Sequence, residues 1–311
     1  MNQGFNMRFL LGLLLAFGFA RGSHALDITT SMLRGSDFVR GDGYVRYATH
    51  EWEMKPEMLK ALEYGINKLC ADHQKVFGKK VSGEFSVRFR VFGRFEDYKE
   101  YSQAKYKKEV TENLLGFFSP RGKEIVTWRQ KASWRLLPTL LHEGSHAIMD
   151  DLFGALPFWM IEGSADWFGE PQWIEGNGLK FDKQKRWINL NKLRDEYELP
   201  PMKDYLLSEG YDDWKKMFKN EIGMGYDIGW SIFDFFMSHP QSTKFMAGIV
   251  NSRDSMLADQ NGYSREGIFA AYIQKHWPGG IPMFEKGWHS WVKIKAEESR
   301  QAIIKSKTSP K

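Results

Sequence analysis

Phe85, Val87, Phe89 and Val91 alternate with Ser86, Arg88 and Arg90, and a period of two predicts a strand buried on one face. Upstream, Leu59, Leu62, Ile66, Leu69, Val76 and Phe77 follow the 3.6-residue period behind Pro56. They predict a helix with proline in its first turn, where a missing N–H costs nothing. Residues 44–52 read as an earlier strand after a short unstructured start, and 96–107 as a polar helix. Residues 116–118 and 124–128 flank Ser119-Pro120-Arg121-Gly122, whose Pro and Gly predict a turn between two short strands. An apolar helix then covers about 133–152 and is closed by Gly154; Pro138 either begins it or kinks it. A second helix follows Pro157. From Lys183 onward the pattern is helical, with breaks at Pro200-Pro201, Gly223–Gly225, His239-Pro240 and Pro278-Gly279-Gly280. Strands and helices first, then helices alone, predict an α+β fold: a small mixed sheet with helices, followed by a mostly helical C-terminal half.

The first residues have a different character. Arg8 precedes the apolar run 9–20, and Ser23-His24-Ala25 puts small residues at −3 and −1 of a cleavage site. Residues 1–25 therefore read as a signal peptide cut near Ala25, which predicts a secreted or periplasmic protein. Twelve apolar residues broken by Gly12 and Gly18 are too few to span a bilayer, and no cysteine near the cut offers a lipid anchor. Cys70 is the only cysteine, so no intramolecular disulfide forms; its place beside Leu62, Ile66 and Leu69 predicts a buried thiol. Arg8 and Arg21 account for part of the formal charge of +5 and leave about +3 afterwards, too little to argue for nucleic acid. Three further segments are expected: a metal-binding domain over 43–175, a helical subdomain over 176–297, and a solvated basic tail over 298–311.

The chemistry is concentrated in the apolar helix. His142-Glu143-Gly144-Ser145-His146 sets two imidazoles at i and i+4, on one helix face. That spacing lets both ring nitrogens reach one zinc ion at about 2.0–2.1 Å. Glu143 stands roughly 100° round the helix, placed to reach a metal-bound water without becoming a ligand. A catalytic zinc usually takes three protein ligands and keeps one position open. Glu162 is the natural third, and Asp166 one turn further on can orient a ligand histidine. The apolar residues around the motif predict that the histidines are buried, and metal coordination would satisfy them.

His142–His146 followed by Glu162-Gly163-Ser164-Ala165-Asp166 resembles the gluzincin metallopeptidases, among them thermolysin and the aminopeptidase N group. The order of elements is similar to a peptidase-MA-like domain of secreted bacterial proteins. The resemblance spans roughly 44–292, and only 142–146 and 157–168 are specific. It implies one zinc per chain on His142, His146 and Glu162, with Glu143 as general base and Asp166 hydrogen-bonded to a ligand histidine. It also implies peptide or protein substrates. Tyr226-Asp227-Ile228-Gly229 matches, at Tyr and Gly, an aminopeptidase phrase whose tyrosine steadies the oxyanion; His239, His289 and Tyr211 are the next candidates for that role. Met149 and Leu152 stand where metzincins need Gly and His, which excludes that branch. The aminopeptidase phrase for a substrate's free amine has no counterpart here.

Two readings compete with a zinc-dependent peptidase. One is a zinc-binding protein without catalysis; the other is a module for cell-wall glycans or peptides, with some of the twelve tryptophans as stacking surfaces. A third, narrower alternative makes Asp166 the third ligand. In the peptidase reading, strand 124–128 is the candidate edge for pairing an extended peptide.

Overall fold

The alternating segments pair into one sheet because helices cover both of its faces. The structure, a computed structural model, describes residues 27–130, 135–177, 183–196, 199–219, 221–252 and 264–308. Its strands are β1 (Val39–Arg40), β2 (Val45–His50), β3 (Val87–Phe92), β4 (Gly116–Ser119) and β5 (Glu124–Trp128). The order is β1-β2-β3-β5-β4; β2, β3 and β5 run parallel, and β1 and β4 pair antiparallel at the two edges. β5 is thus an interior strand. The edge beside the candidate site is β4, which corrects the expectation for 124–128.

Helix α2 (Pro56–Phe77) carries Pro56 in its first turn and ends on Gly78 in the left-handed conformation. Together with α4 (Leu136–Phe153) it packs on one face of the sheet. Pro138 falls in the first turn of α4, among N–H groups that lack helical partners anyway, so it begins the helix and does not kink it. Helix α3 (Phe95–Tyr106) covers the other face around Phe92, Tyr98, Tyr101 and Val126. The start of the chain closes that side too. Contrary to the expected unstructured start, Thr29 and Gly35 cap α1 (Thr30–Arg34), whose Met32 is buried in the same cluster.

This double cover explains why β3 is not the half-buried strand its alternation predicts. Arg90 is fully buried, and its guanidinium donates to both carboxylate oxygens of Asp37 at 2.6 and 2.9 Å and lies 3.4 Å from Glu124. A buried charge persists when paired in this way.

The remaining helices are α5 (Phe158–Asn177), α6 (Lys183–Glu196), α7 (Met202–Leu206), α8 (Tyr211–Met217), α9 (Ile222–Met237), α10 (Pro240–Asn251), α11 (Arg265–His276) and α12 (Gly280–Thr308). The α+β architecture with a helical second half is as expected. Three boundaries differ. The break at Gly223–Gly225 lies inside the start of α9, because Gly225 packs directly on the Trp214 ring. The division at 175/176 falls within α5, and one hydrophobic core runs from Val45 to Val292. The stretch 298–311 is not a frayed tail throughout, since α12 continues to Thr308 with Ala296 and Ser299 buried. Cys70 is buried as expected, and burial pushes its thiol up to about 12. Among the described residues no helix is long and apolar enough to cross a membrane. The expected signal peptide, 1–25, lies outside the described residues.

Candidate metal centre

Helices α4 and α5 lie against each other, and this packing brings the motif residues together. His142 and His146 project from one face of α4 with their rings 4.7 Å apart and nearly perpendicular. Glu162, in the first turns of α5, faces both: its Oε2 lies 3.4 Å from His142 Nε2 and 3.6 Å from His146 Nε2. One donor atom from each of the three lies within 4.8 Å of the others. Glu162 Oε2 is buried and has no hydrogen-bond partner among the described residues. Such an atom is costly to bury unless something coordinates it. Two imidazole nitrogens and a carboxylate oxygen converging on one point are a donor set suited to zinc. The histidines are less buried than expected, because their rings form part of a cleft wall; their side chains keep 22% and 11% exposure.

Asp166 stands on the other side of His142. Its Oδ1 is 3.0 Å from His142 Nδ1, a contact that orients the ring with Nε2 turned to Glu162 and His146. This geometry argues against Asp166 as third ligand, since it engages the nitrogen that faces away from the cluster. Asp166 is itself held by Arg186 of α6, whose guanidinium donates to Asp166 Oδ2 at 2.6 Å and to Asp227 Oδ1 at 2.5 Å and stacks over Trp230. A chain of charge-assisted contacts therefore runs from His142 to α9. Burial opposes charge on His142, but the Asp166 and Glu162 carboxylates outweigh it and raise its pKa well above the ordinary value. For His146, burial prevails and lowers it. Burial works against the Glu162 and Asp166 carboxylates too, yet the histidines, and Arg186 for Asp166, hold both below their usual range.

Glu143 is buried beside the cluster, and its Oε2 accepts the backbone N–H of Phe118 at 2.7 Å. That bond ties the carboxylate to the edge strand β4 through Oε2. No protein-family model and no curated protein matches the chain. The reading of the site therefore rests on its geometry and chemistry.

Tyr226 reaches the cluster through a second tyrosine. The Tyr211 hydroxyl donates to Glu162 Oε1 at 3.1 Å and lies 2.7 Å from the Tyr226 hydroxyl. Because Tyr211 spends its proton on Glu162, Tyr226 is the donor between the two phenols. Burial, together with the negative charge of Glu162, raises the pKa of both, so both remain proton donors. His239 caps α10, and the His289 carbonyl accepts from Arg194; neither lines the cleft.

The cleft has a volume of about 970 Å³ and is bounded by β4, α4, α5 and the two tyrosines. Its walls are largely apolar, with Leu115, Phe118, Pro138, Met149 and Ile161 among them. Arg186 and the Phe118 N–H, which contact Asp166 and Glu143, are not singled out by the sequence. Arg186 lies in a helix of unremarkable pattern, and a backbone N–H has no side-chain signature.

Proposed function

We propose that this chain is an exported zinc-dependent peptidase that hydrolyses peptide bonds in the cleft beside β4. The observation that carries this reading is the convergence of His142, His146 and Glu162 with the Glu143 carboxylate pinned next to them. His142, His146 and Glu162 would hold a zinc ion, which would supply Lewis acidity to the carbonyl and to the attacking water. Glu143 takes the proton from the attacking water at Oε1 and delivers it to the leaving amine. Asp166, backed by Arg186, holds His142 in the tautomer that presents a bare Nε2. One phenol of the Tyr211–Tyr226 pair would turn its proton from its present acceptor to the carbonyl oxygen where negative charge develops. An extended peptide aligns along the edge strand β4, the apolar walls taking its side chains.

The burial of Trp159, Trp187, Trp214, Trp230 and Trp288 speaks against a stacking surface for glycans, because those rings are core. The peptidase reading is tested by metal analysis of the protein together with cleavage of a peptide library before and after chelation. It predicts about one zinc per chain, cleavage abolished by chelator, and recovery on adding zinc. Metal-free protein that cleaves as well as the loaded form overturns it.

A further inference from the structure

The wall of the cleft carries a cation, Lys108, that the proposed chemistry does not use. Helix α3 ends at Lys107, which adopts a left-handed conformation with φ 56°. Its N–H bonds Gln103 O at 3.1 Å, and the N–H of Lys108 bonds Ser102 O at 3.2 Å. The next anchor is buried Val110. The backbone of Lys108 is thereby fixed, and its side chain lies against β4 with Nζ 4.1 Å from the centre of the Phe117 ring, a cation–π contact. Lys108 and Phe117 line the same cleft as His142, Glu143, His146 and Glu162.

The other charges of the cleft are matched. Arg265 pairs with Glu266, Asp150 with Lys123, and Asp166 with Arg186. Glu143 is engaged by the Phe118 N–H, and Glu162 by Tyr211 and the histidines. Among the described residues Lys108 forms no ion pair, although Glu143 and Glu162 are close enough to act on it electrostatically. An ammonium that rests on an aromatic ring in a cleft wall, with no carboxylate paired to it, can receive an anionic group.

We propose that Lys108 forms an anion subsite of this cleft and selects peptides that carry a carboxylate near the scissile bond. The carboxylate comes from an aspartate or glutamate side chain or from the peptide's own C-terminus, and both present the same two oxygens to Nζ. This inference rests on the cleft being a peptide site, and its test separates the two claims.

The experiment measures binding to the full zinc-loaded chain carrying Glu143→Gln, so that peptides persist. N-acetylated pentapeptides with Glu or Gln at each position, each with a free or an amidated C-terminus, are titrated calorimetrically. Carboxylate peptides should bind about 3–5-fold tighter than their neutral partners, and the difference should shrink with added salt. The Glu/Gln arm and the free/amidated arm show which carboxylate is read. Adding Lys108→Met, which keeps the aliphatic stem, should erase the preference. Lys108→Glu should reverse it toward lysine-containing peptides. A Glu/Gln and free/amide difference below twofold, a preference that survives Lys108→Met, or no peptide binding at all overturns the subsite. Cleavage by the unsubstituted chain is scored separately. Cleavage with no carboxylate preference defeats the subsite alone, and a Lys108-dependent preference with no cleavage defeats the peptidase reading alone.

Discussion

Replacing Gly163 with alanine should loosen the contact that holds Glu162 in place. Gly163 follows Glu162 in α5 and lies against Gly229 of α9. A Cβ at Gly163 would stand 2.5 Å from the Gly229 carbonyl oxygen and 2.6 Å from its carbonyl carbon. Both are backbone atoms, so no rotamer change relieves the clash and the two helices must separate. Overpacking of a core costs about 1–3 kcal/mol, and a backbone-on-backbone clash belongs at the upper end, about 3 kcal/mol. At about 2–4 °C per kcal/mol for a large domain, Tm should fall by about 6–12 °C. Tyr226 stands one turn before Gly229, so the same displacement should move the phenol pair away from Glu162 and weaken zinc binding. Circular dichroism melts, with zinc content measured on the same samples, read both effects. Gly223→Ala, near the start of the same α9 with open space where the Cβ would go, is the control and should not lower Tm. If Gly163→Ala melts within about 1 °C of the unsubstituted chain and keeps its zinc, the α5–α9 contact is not as described.

Three further outcomes follow from the same geometry. Asp166→Asn removes the charged partner of His142 Nδ1 and should reduce zinc affinity or activity roughly 10–100-fold; unchanged values for both would refute its orienting role. Tyr226→Phe and Tyr211→Phe should each lower kcat, by about 10²–10³ for whichever phenol meets the oxyanion, with zinc content retained; full kcat in both variants would make the pair purely structural. Buried His73, with Nδ1 2.7 Å from Leu69 O and Nε2 3.1 Å from Ser145 Oγ, has its pKa pulled down by burial to about 4 from 6.5. Between those values the unfolded chain binds more protons than the folded one, so stability present at neutral pH is lost as pH falls from about 6.5 to 4, by roughly 3 kcal/mol. Urea unfolding across that range should show the slope, reduced in His73→Gln; an identical slope in the variant would exclude His73 as its source.

The parts of this molecule legible in the sequence are those that repeat or that carry rare side chains at fixed spacing. The 3.6 period of α2 and the i, i+4 histidines of α4 are local patterns, and α4 and α5 place His142, His146 and Glu162 together because each motif sits on a regular helix. Arg90 misleads because alternation records polarity and not what covers it: α1, α3 and Asp37 close over that face from elsewhere in the chain. β5 reads as an edge because the sheet order depends on β4 folding back outside it, which no local pattern displays. Tyr211 and Lys108 reach the cleft, and Arg186 reaches Asp166 in its wall, through tertiary packing that their neighbouring residues do not display. The expected division at 175/176 falls within α5, which runs from Phe158 to Asn177.

The central claim is that Glu143 moves protons in a cleft where His142, His146 and Glu162 hold the metal. The most direct measurement compares Glu143→Gln with the unsubstituted chain, reading zinc per chain and peptide cleavage on the same preparation. The substituted amide keeps the size of the side chain and an oxygen to accept the Phe118 N–H, but it cannot take a proton. About one zinc is expected in both proteins, with cleavage reduced by about 10²–10⁴ in the variant. Equal cleavage by the two proteins, or no zinc bound by either, would contradict the claim.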